Sequence, residues 1–160
     1  MISAWVTLLI FSCMFCCIWF NKDMAAFGTF FLRIVLGSTM LFAHGLPKFF
    51  AFERLLTRFP DPLGIGVMPS VILVIFAECI CSICLILGFA TRLVLIPLII
   101  TMSVAFFIVH ADDPFHKKEM AFLFLNGYVA LFFLGTGAYG LRVSIFKTPP
   151  KWLKFFLETH

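Results

Sequence analysis

Residues 24–48, MAAFGTFFLRIVLGSTMLFAHGLPK, decide how the rest of the chain is read. Arg33 is the only charge before Lys48, and the stretch is otherwise long and apolar enough for a membrane-spanning helix of about 20 residues. Arg33, Gly37, Met40, His44 and Lys48 recur at helical spacing, so one face of that helix is polar or small along its whole length. In lipid, such a face must turn inward, toward other helices or a cavity. Gly37 on it permits close approach of a helix or a flat ligand.

The remainder of the chain agrees with a membrane setting. Its 160 residues are 62% hydrophobic and 12% charged, with 23 Phe and a mean hydropathy of +1.10. A soluble domain carries about 25% charge, and a chain this short cannot bury so much apolar surface in one core. The formal net charge of +4 is too small and scattered to suggest nucleic acid as a partner, with no basic stripe interleaved with aromatics outside the last twenty residues. Cys13, Cys16, Cys17, Cys79, Cys81 and Cys84 all lie in apolar runs, where thiols are packing groups rather than a disulfide framework.

Five apolar runs follow one another: residues 2–20, 24–46, 67–90, 93–109 and 120–138. Strand-like alternation is absent, and at these lengths only helices satisfy their own backbone in lipid. The expectation is an all-α membrane protein in three parts. Residues 1–22 form an added N-terminal transmembrane helix, residues 23–141 a four-helix bundle, and residues 142–160 an amphipathic tail. The first run has neither the basic start nor the cleavage site of a signal peptide. Residues 47–66 include Pro60, Asp61, Pro62, Gly64 and Gly66, a loop composition, and residues 49–59 suit a short interfacial helix. That loop is expected to cover the mouth of the bundle. Thr91 and Arg92 alone separate the third and fourth runs, so these form a tight hairpin, with Pro97 near the start of its second helix. Trp152 between lysines reads as an interfacial anchor. Basic residues are nearly balanced between the two faces, and the tail tips the count, so its face is expected to be cytoplasmic and the long loop outside.

The intramembrane polar residues suggest a site. Arg33 falls about 10 Å below the tail face and Glu78 about 16 Å, within one guanidinium's reach on antiparallel helices. A direct Arg33–Glu78 ion pair is therefore expected, either as a staple that fixes helix register or as a polar site for a substrate or proton. His44, Lys48, His110 and Asn126 gather toward the opposite face and are expected to outline one cavity opening there.

These residues carry a resemblance. Phe31-Leu32-Arg33-Ile34-Val35-Leu36-Gly37 and His44-Gly45-Leu46-Pro47-Lys48 resemble the first-helix signature of the DoxX family. Ala77-Glu78 and Leu87-Gly88-Phe89-Ala90-Thr91-Arg92 resemble its second helix and turn, with Gly45, Thr91 and Arg92 as turn or packing positions. His110 and Gly135-Thr136-Gly137 resemble the ends of its third and fourth helices. The likeness covers about residues 30–141. It implies a four-helix membrane bundle, usually in the bacterial inner membrane, related to the small subunit of thiosulfate:quinone oxidoreductase and to membrane oxidoreductase complexes. Two features depart from the pattern: Gly140-Leu141-Arg142 replaces a Ser-Leu-Asp, and residues 2–20 are an addition. An added helix at the edge of a bundle suits docking onto another subunit or a second copy.

Other apparent motifs weaken. Gly135 to Gly140 spell a dinucleotide fingerprint, but after a membrane helix rather than a strand. Cys81 and Cys84 form a C-x-x-C in mid-helix, where no thiolate is stabilised, and acylation of Cys16 or Cys17 has little support. His110, Asp112, Asp113 and His116 read as a solvated loop, so no metal is expected. No catalytic residue is assigned. Three functions compete: a redox-linked protein binding a quinone or similar flat lipid-soluble ligand, a non-catalytic accessory subunit of a larger membrane complex, and a small transporter or proton path.

Overall fold

Lipid offers the backbone no hydrogen bonds, so long apolar runs close their own as helices. The computed structural model describes residues 24–141 and Phe156. They form α1 (Met24–Phe50), α2 (Phe52–Leu56), α3 (Val67–Leu87), α4 (Thr91–Val109) and α5 (Phe115–Leu134), with no strand among the described residues. Helices α1, α3 and α4 are long and apolar enough to cross a membrane. The protein is an all-α membrane protein. The run at residues 2–20, Cys16 and Cys17, Trp152 and the tail lie outside the described residues.

Several boundaries differ from those read off hydropathy. Helix α1 continues through Pro47 to Phe50 rather than stopping at residue 46. A π turn at Met40–Gly45 shifts the ladder, so that the Leu46 amide bonds to the Leu41 carbonyl five residues back. Pro47, which has no amide hydrogen, then enters as it would a fresh first turn. Helix α3 stops at Leu87, where Gly88 takes the left-handed conformation (φ 71°) and the Phe89 amide closes back onto the Cys84 carbonyl. Helix α4 starts at Thr91 rather than at residue 93, so Pro97 lies in its second turn. Helix α5 opens early, with His116, Lys117, Lys118 and Glu119 in its first turns, and ends at Gly135.

Two further π turns interrupt α3 at Phe76–Cys81 and α4 at Ala105–Val109. Hydropathy gives no sign of them.

Helices α1 and α3 run antiparallel along a glycine seam. A Cβ on Gly45 would stand 2.6 Å from the Glu78 carbonyl oxygen, and one on Gly37 2.7 Å from Ile86. Only bare backbone lets the two axes approach this closely. Met40, Leu85, Leu95, Leu98, Tyr128 and Leu131, all fully buried, fill the centre of the bundle. One end, here the turn end, carries the Gly88–Ala90 turn and the C-terminus of α5. The other, the loop end, carries residues 51–66.

Candidate functional site at the loop end of the bundle

Side chains on a helix lean toward its N-terminus. Helix α1 runs from the turn end to the loop end and α3 runs back. Lys48 therefore leans down into the bundle, Glu78 leans up toward it, and Lys48 Nζ donates to Glu78 Oε1 at 2.5 Å. The Glu78 side chain is 2% exposed and that of Lys48 29%. A carboxylate this deep stays charged only beside a cation, and Lys48 supplies it. Glu78 Oε2 is buried with no hydrogen-bond partner among the described residues, as are Ser82 Oγ one turn deeper and the Tyr128 hydroxyl.

The pair lies on the wall of a cavity of about 430 Å³. Helices α1, α3, α4 and α5 all contribute: Met40 and His44, Leu73 and Val74, Thr101 and Ala105, Met120 and Phe124. All three π turns border it, through Met40 and His44, Glu78, and Ala105 and Val109. An extra residue in a turn rotates later side chains relative to earlier ones, and such bulges recur at functional sites. The His44 ring meets Phe124 edge-on at 5.7 Å between centroids, which holds the imidazole against the wall.

At the mouth, Phe59, Pro60, Pro62, Leu63 and Ile65 of the loop line the cavity. Asp61 anchors that loop, accepting from the Gly66 amide at 2.7 Å, the Ser70 hydroxyl at 2.9 Å and the Ile65 amide at 3.1 Å. The Gly66 amide first, helped by Ser70 and Ile65, holds the Asp61 carboxyl below the usual carboxylate range. Across the mouth, His110 Nδ1 lies 2.8 Å from Asp113 Oδ2, and Lys117 Nζ is 3.3 Å from Asp113 Oδ1. The hydrogen bond from His110, then that from Lys117, lowers the Asp113 carboxyl below its ordinary value.

Four of the residues singled out in the sequence thus share one cavity: His44, Lys48, Glu78 and His110. Two do not, and both are corrections. Arg33 does not pair with Glu78. Its side chain leans the other way, toward the turn end, where Nη1 donates to the Thr136 carbonyl and Nη2 to that of Tyr139 at 2.9 Å. The guanidinium lies under Gly88, where any Cβ would come within 2.7 Å of it, and over the Phe30 ring at 5.8 Å. The C-termini of α3 and α5 converge there, and their carbonyl dipoles favour a cation. Asn126 is the second. Because α5 begins at Phe115, Asn126 falls well down the helix, on the face opposite Phe124, Tyr128 and Leu131. It is exposed and donates to the Phe122 carbonyl of its own helix at 2.8 Å.

The turn positions have structural roles. Thr91 is fully buried and accepts from the Thr136 hydroxyl at 2.9 Å, and Arg92 Nε donates to the Phe132 carbonyl at 3.0 Å. Sequence reasoning overlooked Asp61 as the loop's anchor and Phe124 and Tyr128 as inward groups. The spacing of Phe124, Tyr128 and Leu131 at i, i+4 and i+7 was the available signal.

The DoxX family model matches residues 28–111, just over half of the chain, a span that takes in His44, Lys48, Glu78 and His110. No curated protein and no solved structure matches the chain.

Proposed function

Since the chain belongs to the DoxX family of helical membrane proteins, we propose that its cavity binds the head of a quinone or a similarly flat, lipid-soluble ligand. One observation carries this reading: a charged Lys48–Glu78 pair on the wall of an otherwise largely apolar, membrane-level cavity. A volume of about 430 Å³ suits a substituted ring, within the roughly 300–1,000 Å³ of small-molecule sites. Lys48 and His44 are placed to donate to ring oxygens. Glu78 and His44 can exchange protons with the same oxygens.

In this reading the protein holds the ring and handles its protons. Electrons come from an oxidoreductase partner in a membrane complex, and the protein lies in the bacterial inner membrane with its tail in the cytoplasm. Residues 1–22 serve as an added transmembrane helix for docking to another subunit or a second copy, residues 23–141 as the bundle, and residues 142–160 as the tail.

The test is purification in mild detergent followed by lipid extraction. Quinone bound near one per chain, lost in Lys48→Ala and Glu78→Gln, is the expected result. Stoichiometric co-purification with a large enzyme, without bound quinone in either, would favour the accessory-subunit reading instead.

A further inference from the structure

Besides its mouth under the loop, the cavity borders the lipid-facing surface of the bundle, through exposed lining residues on α3 and α4. Helices α3 and α4 pack closely from Phe76 to Leu87, while the first turns of α3, Val67–Ile75, make no comparable contact with α4. The two helices thus separate toward the loop end. Leu73 lies in those first turns of α3, and Ile100 lies on α4. Both line the cavity, yet they are 54% and 55% exposed. Both also belong to helices able to cross a membrane, so the surface they expose faces hydrocarbon rather than water. Thr101 and Val104 of α4 line the cavity as well. The mouth toward water is roofed, by contrast, by Pro60, Pro62 and Leu63, held in place through Asp61.

Building on the quinone reading, we infer that the ligand enters sideways from the bilayer between α3 and α4, and that a hydrocarbon tail remains in this gap while the head rests against Lys48 and Glu78. The ligand class is then an amphiphile with a flat, hydrogen-bonding ring and a prenyl or alkyl tail. The cavity, at about 430 Å³, accommodates a head group but not a long tail as well. A tail leaving through the gap stays among apolar side chains and lipid, whereas a route through the loop would draw every methylene through water.

The test uses two tritiated probes in lipid nanodiscs: a dimethoxy-methyl-benzoquinone without a tail, and the same ring bearing a decyl chain. Leu73→Trp and Ile100→Trp add bulk at exposed positions, where folding tolerates it, and Ile83→Trp adds it at an exposed α3 position away from the cavity. The expected result is at least a tenfold rise in Kd for the decyl probe in the two gap variants. The tail-free probe should shift less than threefold, and Ile83→Trp should move neither. Equal weakening of both probes, or no weakening of the decyl probe, would overturn the lateral route. Failure of the unmodified protein to bind either probe would instead remove the quinone reading on which the route rests.

Discussion

Lys48 and Glu78 are thirty positions apart in the chain and 2.5 Å apart in space, joined because side chains on antiparallel helices lean toward one another at this level. The pair joins α1 to α3 one turn past the Gly45 contact and gives the cavity its only charged wall among the described residues that is buried on one side. Its removal is the most direct probe of both stability and binding.

Lys48→Met should lower stability by about 3–5 kcal/mol, because it leaves the buried Glu78 carboxylate uncompensated, and Glu78→Gln by less, because the Lys48 ammonium it strands is 29% exposed. The double variant Lys48→Met, Glu78→Leu should recover most of the loss while ligand binding stays weakened at least tenfold. Thermal melts in detergent and quinone binding measured side by side check this. Full recovery of both would make the pair a staple alone.

Arg33→Met should destabilise the protein without altering the cavity. It removes bonds from a buried guanidinium to the Thr136 and Tyr139 carbonyls, each worth about 1.5–3 kcal/mol for a charged donor. The quinone Kd of the folded fraction should stay within about twofold, because the guanidinium lies at the turn end. A tenfold loss of binding would place Arg33 in the site after all.

Alanine at two glycines should act with opposite signs. At Gly45 the new Cβ would press on the Glu78 carbonyl, forcing α1 and α3 apart at a cost of about 1–3 kcal/mol. At Gly28 nothing lies within 4 Å, so alanine should stabilise the helix by about 0.5–1 kcal/mol. Melting temperatures that move in the same direction would contradict the packing of the α1–α3 seam.

Acid should loosen the loop over the cavity. Asp61 is held below the usual carboxylate range, so its contribution is fully present above that range and is lost as pH falls through the lowered value. Intrinsic-rate-corrected amide exchange at Ile65 and Gly66 should be constant from about pH 5 to 8 and rise only below about pH 4. Asp61→Asn, with one acceptor oxygen in place of two, should raise exchange already at neutral pH. A loop that already loosens above pH 5 would show that a contact other than Asp61 holds it.

Hydropathy and helical period were enough for the membrane setting, the α3–α4 hairpin and the inward face of α1 that carries Met40, His44 and Lys48. Each of these depends on residues near one another in the chain. The motifs around Arg33, His44 and Glu78 also sufficed for the family. Beyond that, local information ran out at identifiable places. Depth along the membrane normal made Arg33 a plausible mate for Glu78, but depth ignores the direction in which each side chain leaves its helix. Asn126 was set at the rim because the charged turn at Lys117 to Glu119 hid the true start of α5.

Membrane helices, their order and their polar residues were therefore legible from the amino acids alone. Which cation neutralises Glu78, which groups share the cavity and where it opens were decided only by tertiary structure. The physical reason is angular. Each residue advances a helix by about 100°, so one residue added by a π turn, or a few at a helix start, turns a side chain from lipid to interior. Two antiparallel helices then bring together only those groups that lean toward each other, as Lys48 and Glu78 do and Arg33 and Glu78 do not.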